Sequence, residues 1–90
     1  MEKTFQIDVF GKVQGVWFRK YTKQKADELS IVGMVQNMAD GSVRIHARAE
    51  TSALNSLVDW CKTGSPKAEV SDLNVAELEP LEFHSFEIIR

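Results

Sequence analysis

The chain has 90 residues, of which 43% are hydrophobic and 27% are charged, so it is long enough for one globular domain with a single core. Its net charge of -2 disfavours a nucleic-acid partner, because proteins that bind nucleic acids are usually basic overall. The single cysteine excludes an internal disulfide, and without a signal peptide or long apolar segment the chain is expected to be cytoplasmic and free of membranes.

The first half of the chain predicts a strand, a helix and a β-hairpin. Apolar and polar residues alternate over 5–9, a pattern typical of a strand with one buried face. Apolar residues at helical spacing then predict a helix over about 18–30. Strands are predicted over 31–38, which is rich in β-forming residues, and over 43–49, where apolar and polar residues alternate. Asp40-Gly41 between these segments is a strong hairpin turn.

The second half begins with another predicted helix. Its leucines lie at helical spacing and share an apolar stripe with Cys61. Thr51 or Ser52 is expected to cap its N-terminus, since a side-chain oxygen there can accept from an unpaired backbone N–H. The turn Gly64-Ser65-Pro66 is expected to end it.

Two predicted strands, over 70–77 and 83–89, complete the chain, and Pro80 suits the connection between them. The element order is β-α-β-β-α-β plus a last strand. This order predicts the α+β ferredoxin-like fold (split βαβ, alpha-beta plait), an antiparallel sheet with two helices on one face. Residues 1–90 are expected to form a single domain. Because this fold supports many functions, function has to be inferred from a site.

The connection between the first strand and the first helix, residues 11–19, is the most informative segment. It contains two glycines, which let backbone N–H groups turn toward a ligand, and it leads into a helix N-terminus, where unpaired N–H groups favour anions. No acidic residue lies between Val9 and Ala26, whereas the basic residues there are Lys12, Arg19, Lys20, Lys23 and Lys25. We therefore predict a phosphate-binding loop, with a solvated basic helix face as the simpler alternative.

Two segments of the chain resemble sequence patterns of the acylphosphatase family. Residues 11–19 match G-x-V-Q-G-V-x-[FY]-R at every fixed position, and residues 33–43 resemble G-x-V-x-N-x-x-x-G-x-V. The family usually has an aromatic residue in place of Met34 and a glycine in place of Ala49. Neither difference removes a polar catalytic atom, so they bear on local packing and turn shape. The resemblance covers nearly the whole chain.

The resemblance implies a small stand-alone acylphosphatase, a hydrolase that cleaves the carboxyl-phosphate bond of an acyl phosphate to give a carboxylate and inorganic phosphate. It implies that Arg19 and Asn37 are catalytic. It also implies that the phosphoryl group binds to Gln14, Gly15, Val16, Trp17, Phe18 and Arg19. The chemistry agrees, because a guanidinium can hold two phosphoryl oxygens and an amide can orient a water. The conjugate acid of a carboxylate leaving group has a pKa of about 4, so no general acid is required.

The other conspicuous residues indicate neither a metal ion nor a cofactor. His46 and His84 lie far from any partner at metal-ligand spacing, and a lone cysteine cannot form a Cys-x-x-Cys site. Asp8 is near the loop in sequence and is a secondary candidate for a base, although a polar strand position also explains it. Trp17 and Phe18 are expected to pack the loop.

The expected partner is a small acyl phosphate, with inorganic phosphate as a product, and neither nucleic acid nor a membrane is expected to bind. An RNA-binding module of this fold would carry exposed aromatic residues on a central strand, and residues 43–49 include none. The chain has no evident coiled coil or apolar strip, so a monomer is expected. The alternative is a non-catalytic module that binds a phosphorylated ligand or a protein partner. Such a module would also need the phosphate-binding loop, but it would not need a water held by Asn37.

Overall fold

The computed structural model describes residues 1–90, which form five strands and two helices. The order of elements confirms the predicted α+β, ferredoxin-like fold class. The strands are β1 (Glu2–Lys12), β2 (Val32–Asn37), β3 (Val43–Glu50), β4 (Glu69–Leu78) and β5 (Phe86–Ile89). The helices are α1 (Phe18–Glu28) and α2 (Thr51–Cys61).

The five strands form one sheet in the order β4-β1-β3-β2-β5. All neighbours pair antiparallel except β2 and β5, which pair parallel from Gly33 opposite Phe86 onward. The prediction of an antiparallel sheet is therefore wrong for the last strand. The reason is that the chain leaves β4 at one edge and crosses the width of the sheet to reach the other edge. Arg48 on β3 donates a hydrogen bond to the carbonyl of Leu81 in this crossing connection, at 3.0 Å.

One cluster of 16 buried hydrophobic residues joins both helices to one face of the sheet. In β3, residues 43, 45, 47 and 49 are buried in this cluster, whereas 44, 46 and 48 are half-buried on the opposite face. Both helices contribute to the core, through Phe18 and Ala26 of α1 and Leu54, Leu57 and Cys61 of α2. Burial raises the pKa of Cys61 to about 12, so this thiol is inert packing. No helix here has the length and apolar character to cross a membrane.

The N-terminus of α2 differs from the sequence-based expectation, whereas α1 begins at Phe18 as predicted. The residue before α2 is Glu50, which makes no capping hydrogen bond, so the predicted cap at Thr51 or Ser52 is wrong. The Thr51 hydroxyl instead donates to the carbonyl of Met1, at 3.1 Å. The residue before α1 is Trp17, which has the left-handed conformation (φ 64°) and also makes no side-chain cap. The first backbone N–H groups of α1 therefore remain available to a ligand.

Candidate active site

The loop between β1 and α1 has a backbone suited to an anion. Gly15 and Trp17 both have positive φ angles, of 74° and 64°. Left-handed residues that alternate with other conformations turn successive N–H groups toward one point and form a concave anion site. The positive end of the α1 dipole faces the same region, and no acidic side chain lies in its first turn.

A cavity of about 350 Å³ opens beside this loop. Four elements meet there: the β1–α1 loop, the first turn of α1, the end of β2, and β5 with the residue that follows it. The lining residues are Val13, Gly15, Trp17, Phe18, Arg19, Lys20, Asn37, Ile88 and Arg90. The structure thus brings Arg19 and Asn37, which are 18 positions apart in the sequence, to one cavity.

Arg19 lies in the first turn of α1 and is oriented by the last strand. Its Nη1 donates to the carbonyl of Ile89, at 3.1 Å. The guanidinium takes part in none of the six ion pairs of the structure. Because a guanidinium has five N–H donors, most of them remain for a ligand in the cavity. This arrangement allows a two-pronged contact with phosphoryl oxygens.

Asn37 is the last residue of β2 and presents an unpaired acceptor. Its Oδ1 is buried and has no hydrogen-bond partner. A buried oxygen without a donor costs about 1–3 kcal/mol, so such atoms require an explanation. Asn37 also lines the cavity beside Arg19, and a side-chain amide there has both a donor and an acceptor with which to hold a water or a phosphoryl oxygen.

The side chain of Gln14 does not line the cavity, although the residue falls in the predicted phosphate-binding set. Its Nε2 donates to the carbonyls of Met38, at 2.8 Å, and Ser42, at 2.9 Å. These two carbonyls flank the hairpin turn that follows Asn37. Both N–H bonds of the amide are thereby engaged, so the side chain joins the loop to the strand that carries Asn37. A loop residue's side-chain direction has no sequence period, which is why the pattern could not show this role.

Two further contacts support the loop from the α2–β4 turn. Val16, another member of the predicted set, is buried, and its carbonyl accepts a hydrogen bond from the Ser65 hydroxyl at 2.8 Å. The Phe18 ring lies 5.4 Å from that of Trp60, centroid to centroid, and packs directly against Gly64. A Cβ on Gly64 would be 2.5 Å from this ring, so only glycine leaves room for it.

Phe18 is buried as expected, whereas the expectation that Trp17 packs the loop is wrong. Its side chain is 70% exposed at the cavity, with the Lys20 ammonium 5.6 Å from the ring centroid. Sequence reasoning did not place Lys20 in the site, although it directly follows Arg19. It also missed Val13, Ile88 and Arg90. The last two reach the cavity through the parallel pairing of β5 with β2, which no local pattern indicates.

Asp8 and His46 lie outside the cavity. The Asp8 carboxylate accepts hydrogen bonds from Arg44 at 2.8 Å and Gln6 at 3.1 Å, on the sheet face that the helices leave uncovered. The His46 ring contacts the Gln6 amide oxygen at 2.9 Å, and partial burial, together with the Arg44 charge, lowers the pKa of this histidine. Asp8 is therefore not placed to act as a base. No group of three or more metal-binding side chains occurs in the structure.

The chain was compared with known proteins. It matches the family model for acylphosphatase over residues 5–88. An acylphosphatase from Acaryochloris marina is 45% identical over 82 residues, or 91% of this chain and 88% of the relative. The crystal structure of acylphosphatase from Bacillus subtilis, at 41% identity, has a TM-score of 0.94 and covers 100% of both chains. An acylphosphatase structure from Coxiella burnetii, at 35% identity, has a TM-score of 0.95 over 98% of this chain and 93% of that one. The likeness extends over almost the whole molecule.

Proposed function

The chain belongs to the acylphosphatase family, whose reaction is the hydrolysis of acyl phosphates, and we propose that Arg19 and the loop of residues 14–19 bind the phosphoryl group while Asn37 holds the attacking water. The observation that carries this proposal is that Arg19 and Asn37 line the same cavity, next to the N-terminus of α1.

Binding of the phosphoryl group is the first task of the site. The Arg19 fork donates to two of the three phosphoryl oxygens, and the N–H groups of the left-handed loop and of the α1 N-terminus donate to the third and share the others. The Ile89 carbonyl holds the guanidinium in place before substrate arrives. Such preorganised donors stabilise the charge that develops on the transferring group and need little rearrangement during the reaction.

Attack by water is the second task. The water binds to the side-chain amide of Asn37, which orients an oxygen lone pair toward phosphorus. The oxygen–phosphorus bond forms in line with the breaking bond to the acyl oxygen, and that electron pair leaves with the carboxylate. No Asp, Glu or His side chain lines the cavity. We therefore assign the proton of the attacking water to a phosphoryl oxygen of the substrate itself.

The division of labour between the two residues is tested by their alanine variants. Asn37→Ala should lose nearly all turnover of benzoyl phosphate while competitive inhibition by inorganic phosphate changes little. Arg19→Ala should lose both. Asn55→Ala, which removes an exposed asparagine on α2, is the matched control. Equal loss of phosphate affinity in Asn37→Ala would make Asn37 a binding residue and contradict the assignment of the water.

We also propose that residues 1–90 act as a single domain and as a monomer in the cytoplasm, on a small acyl phosphate and without a metal ion, a cofactor, a nucleic acid or a membrane. The slight negative charge of the chain and the small size of the cavity at the loop support a small anionic substrate. Sedimentation of the purified protein at micromolar concentration tests the monomer. A dimer would contradict this part of the proposal.

A further inference from the structure

Trp17 combines an unfavourable backbone conformation with a side chain that the fold leaves largely uncovered. Its φ of 64° lies in the left-handed region, which glycine and asparagine tolerate and bulky residues rarely adopt. The backbone geometry serves the anion site, and a smaller residue would supply it with less strain. Yet this position carries tryptophan, which has the largest side chain of any amino acid, and Trp17 is 70% exposed. Neither the backbone nor packing accounts for an indole here, whereas the cavity that Trp17 lines can account for one.

The position of Asn37 sets the direction in which a leaving group departs. Asn37 is half-buried where Trp17 is exposed, so a water bound to the Asn37 side chain attacks from the inner side of the cavity. Attacking and leaving oxygens are roughly in line in phosphoryl transfer, so the acyl group lies on the opposite, solvent-facing side. Gly15 is exposed but has no side chain, so the exposed side chains that line the cavity and can meet the acyl group are those of Trp17, Lys20 and Arg90.

We propose that the indole of Trp17 forms the acyl-group subsite, and that the enzyme consequently favours acyl phosphates with an aromatic or other flat apolar acyl group over acetyl phosphate. This inference rests on the proposed function, because it takes the substrate's orientation from Asn37 and Arg19. An indole offers a broad apolar face on which an aryl ring stacks, whereas an acetyl group covers little of it. The ammonium of Lys20, 5.6 Å from the centroid, limits the freedom of the ring.

The first test compares kcat/KM for benzoyl phosphate with that for acetyl phosphate. In Trp17→Asn, which tolerates the left-handed backbone, the benzoyl-to-acetyl ratio should fall roughly three- to tenfold, mainly through KM for benzoyl phosphate. Trp17→Phe should retain most of the ratio because it keeps an aromatic ring. Tyr21→Ala removes an exposed aromatic residue of α1 that lies outside the cavity, and it should leave the ratio unchanged. An unchanged ratio in Trp17→Asn would refute the subsite.

The second test measures binding without turnover. In a Trp60→Phe variant, which keeps a ring against Phe18, Trp17 is the only tryptophan and its fluorescence reports on the subsite. Benzoylphosphonate, a stable analogue, should change this emission and bind more tightly than acetylphosphonate or inorganic phosphate. Equal affinity of the two phosphonates would overturn the inference even in an active enzyme. If neither acyl phosphate is hydrolysed but benzoylphosphonate still binds more tightly, the proposed function fails and the subsite stands.

Discussion

Removing the hydrogen bonds of Gln14 should reduce both the stability and the turnover of this protein. In Gln14→Met the side chain keeps its length but loses both donors to Met38 and Ser42. Each carbonyl retains a backbone partner, since Gly41 donates to the first and Met38 to the second. The change therefore removes two hydrogen bonds without leaving an orphaned oxygen, which costs about 2 kcal/mol of unfolding free energy. For a domain of this size the expected fall in Tm is roughly 8–16 °C.

Turnover should fall as well, because Gln14 fixes the loop against the hairpin that positions Asn37. Misplacement of a catalytic group by about 1 Å can cost on the order of a hundredfold, so we expect kcat to fall between about tenfold and a hundredfold. Phosphate inhibition should weaken less, because the backbone donors of the loop and the Arg19 guanidinium remain. The measurements are urea unfolding, steady-state hydrolysis of benzoyl phosphate and inhibition by phosphate. All are made at a temperature where the variant is folded.

The variant Gln14→Glu should make the stability of the protein depend on pH. In Gln14→Glu two carbonyl oxygens face the new carboxylate, which disfavours its charged form and raises its pKa in the folded state. The variant should therefore gain stability as the pH falls through that raised pKa, because the neutral carboxyl can donate to one carbonyl. Gln24→Met, at an exposed position of α1, serves as the control. A Gln14→Met protein with wild-type stability and kcat would refute the reasoning.

Three further outcomes are expected. Arg19→Lys should recover little of the activity lost in Arg19→Ala, because an ammonium lacks the two-pronged fork; equal kcat/KM for Arg19→Lys and the parent would contradict this. Gly64→Ala places a methyl group 2.5 Å from the Phe18 ring, at a residue whose φ is 73°. It should lower the unfolding free energy by about 1–3 kcal/mol in urea titrations. An unchanged urea midpoint would show that the ring moves freely and would contradict this expectation. Dialysis against a chelator should leave the rate of phosphate release unchanged, since Arg19 and backbone N–H groups supply the positive charge, whereas a rate restored only by Mg²⁺ would contradict a metal-free reaction.

The sequence predicted the elements and the candidate pair of residues because both depend on local information. Alternation of side chains revealed the strands, and helical spacing revealed the two helices. Arg19 and Asn37 were found because fixed motif positions carry them, and the fold brings both to one cavity. Their roles in catalysis stay predictions until the variants are measured.

What the sequence did not predict depends on contacts between distant segments. The parallel pairing of β5 follows from a connection that crosses the sheet, and this pairing brings Ile88 and Arg90 to the cavity. Trp17 is exposed in a loop where its backbone is left-handed, and the Gln14 side chain turns inward to donate to the carbonyl of Met38. The sequence could not show either orientation, because side-chain direction in a loop has no period. These are the residues for which the structure alone suggests new experiments.

The position of β4 at one edge of the sheet bears on how the protein avoids aggregation. An open strand edge is a template on which a second chain can pair, and β4 runs for ten residues along this edge. Two features oppose such growth: an irregularity in the pairing near Gly11 interrupts the regular ladder, and acidic side chains project from the strand at Glu69, Asp72 and Glu77. Two copies brought together along this edge would set like charges against each other. High salt or acid, which weakens that repulsion, is consequently the condition under which the folded protein would begin to form intermolecular sheets.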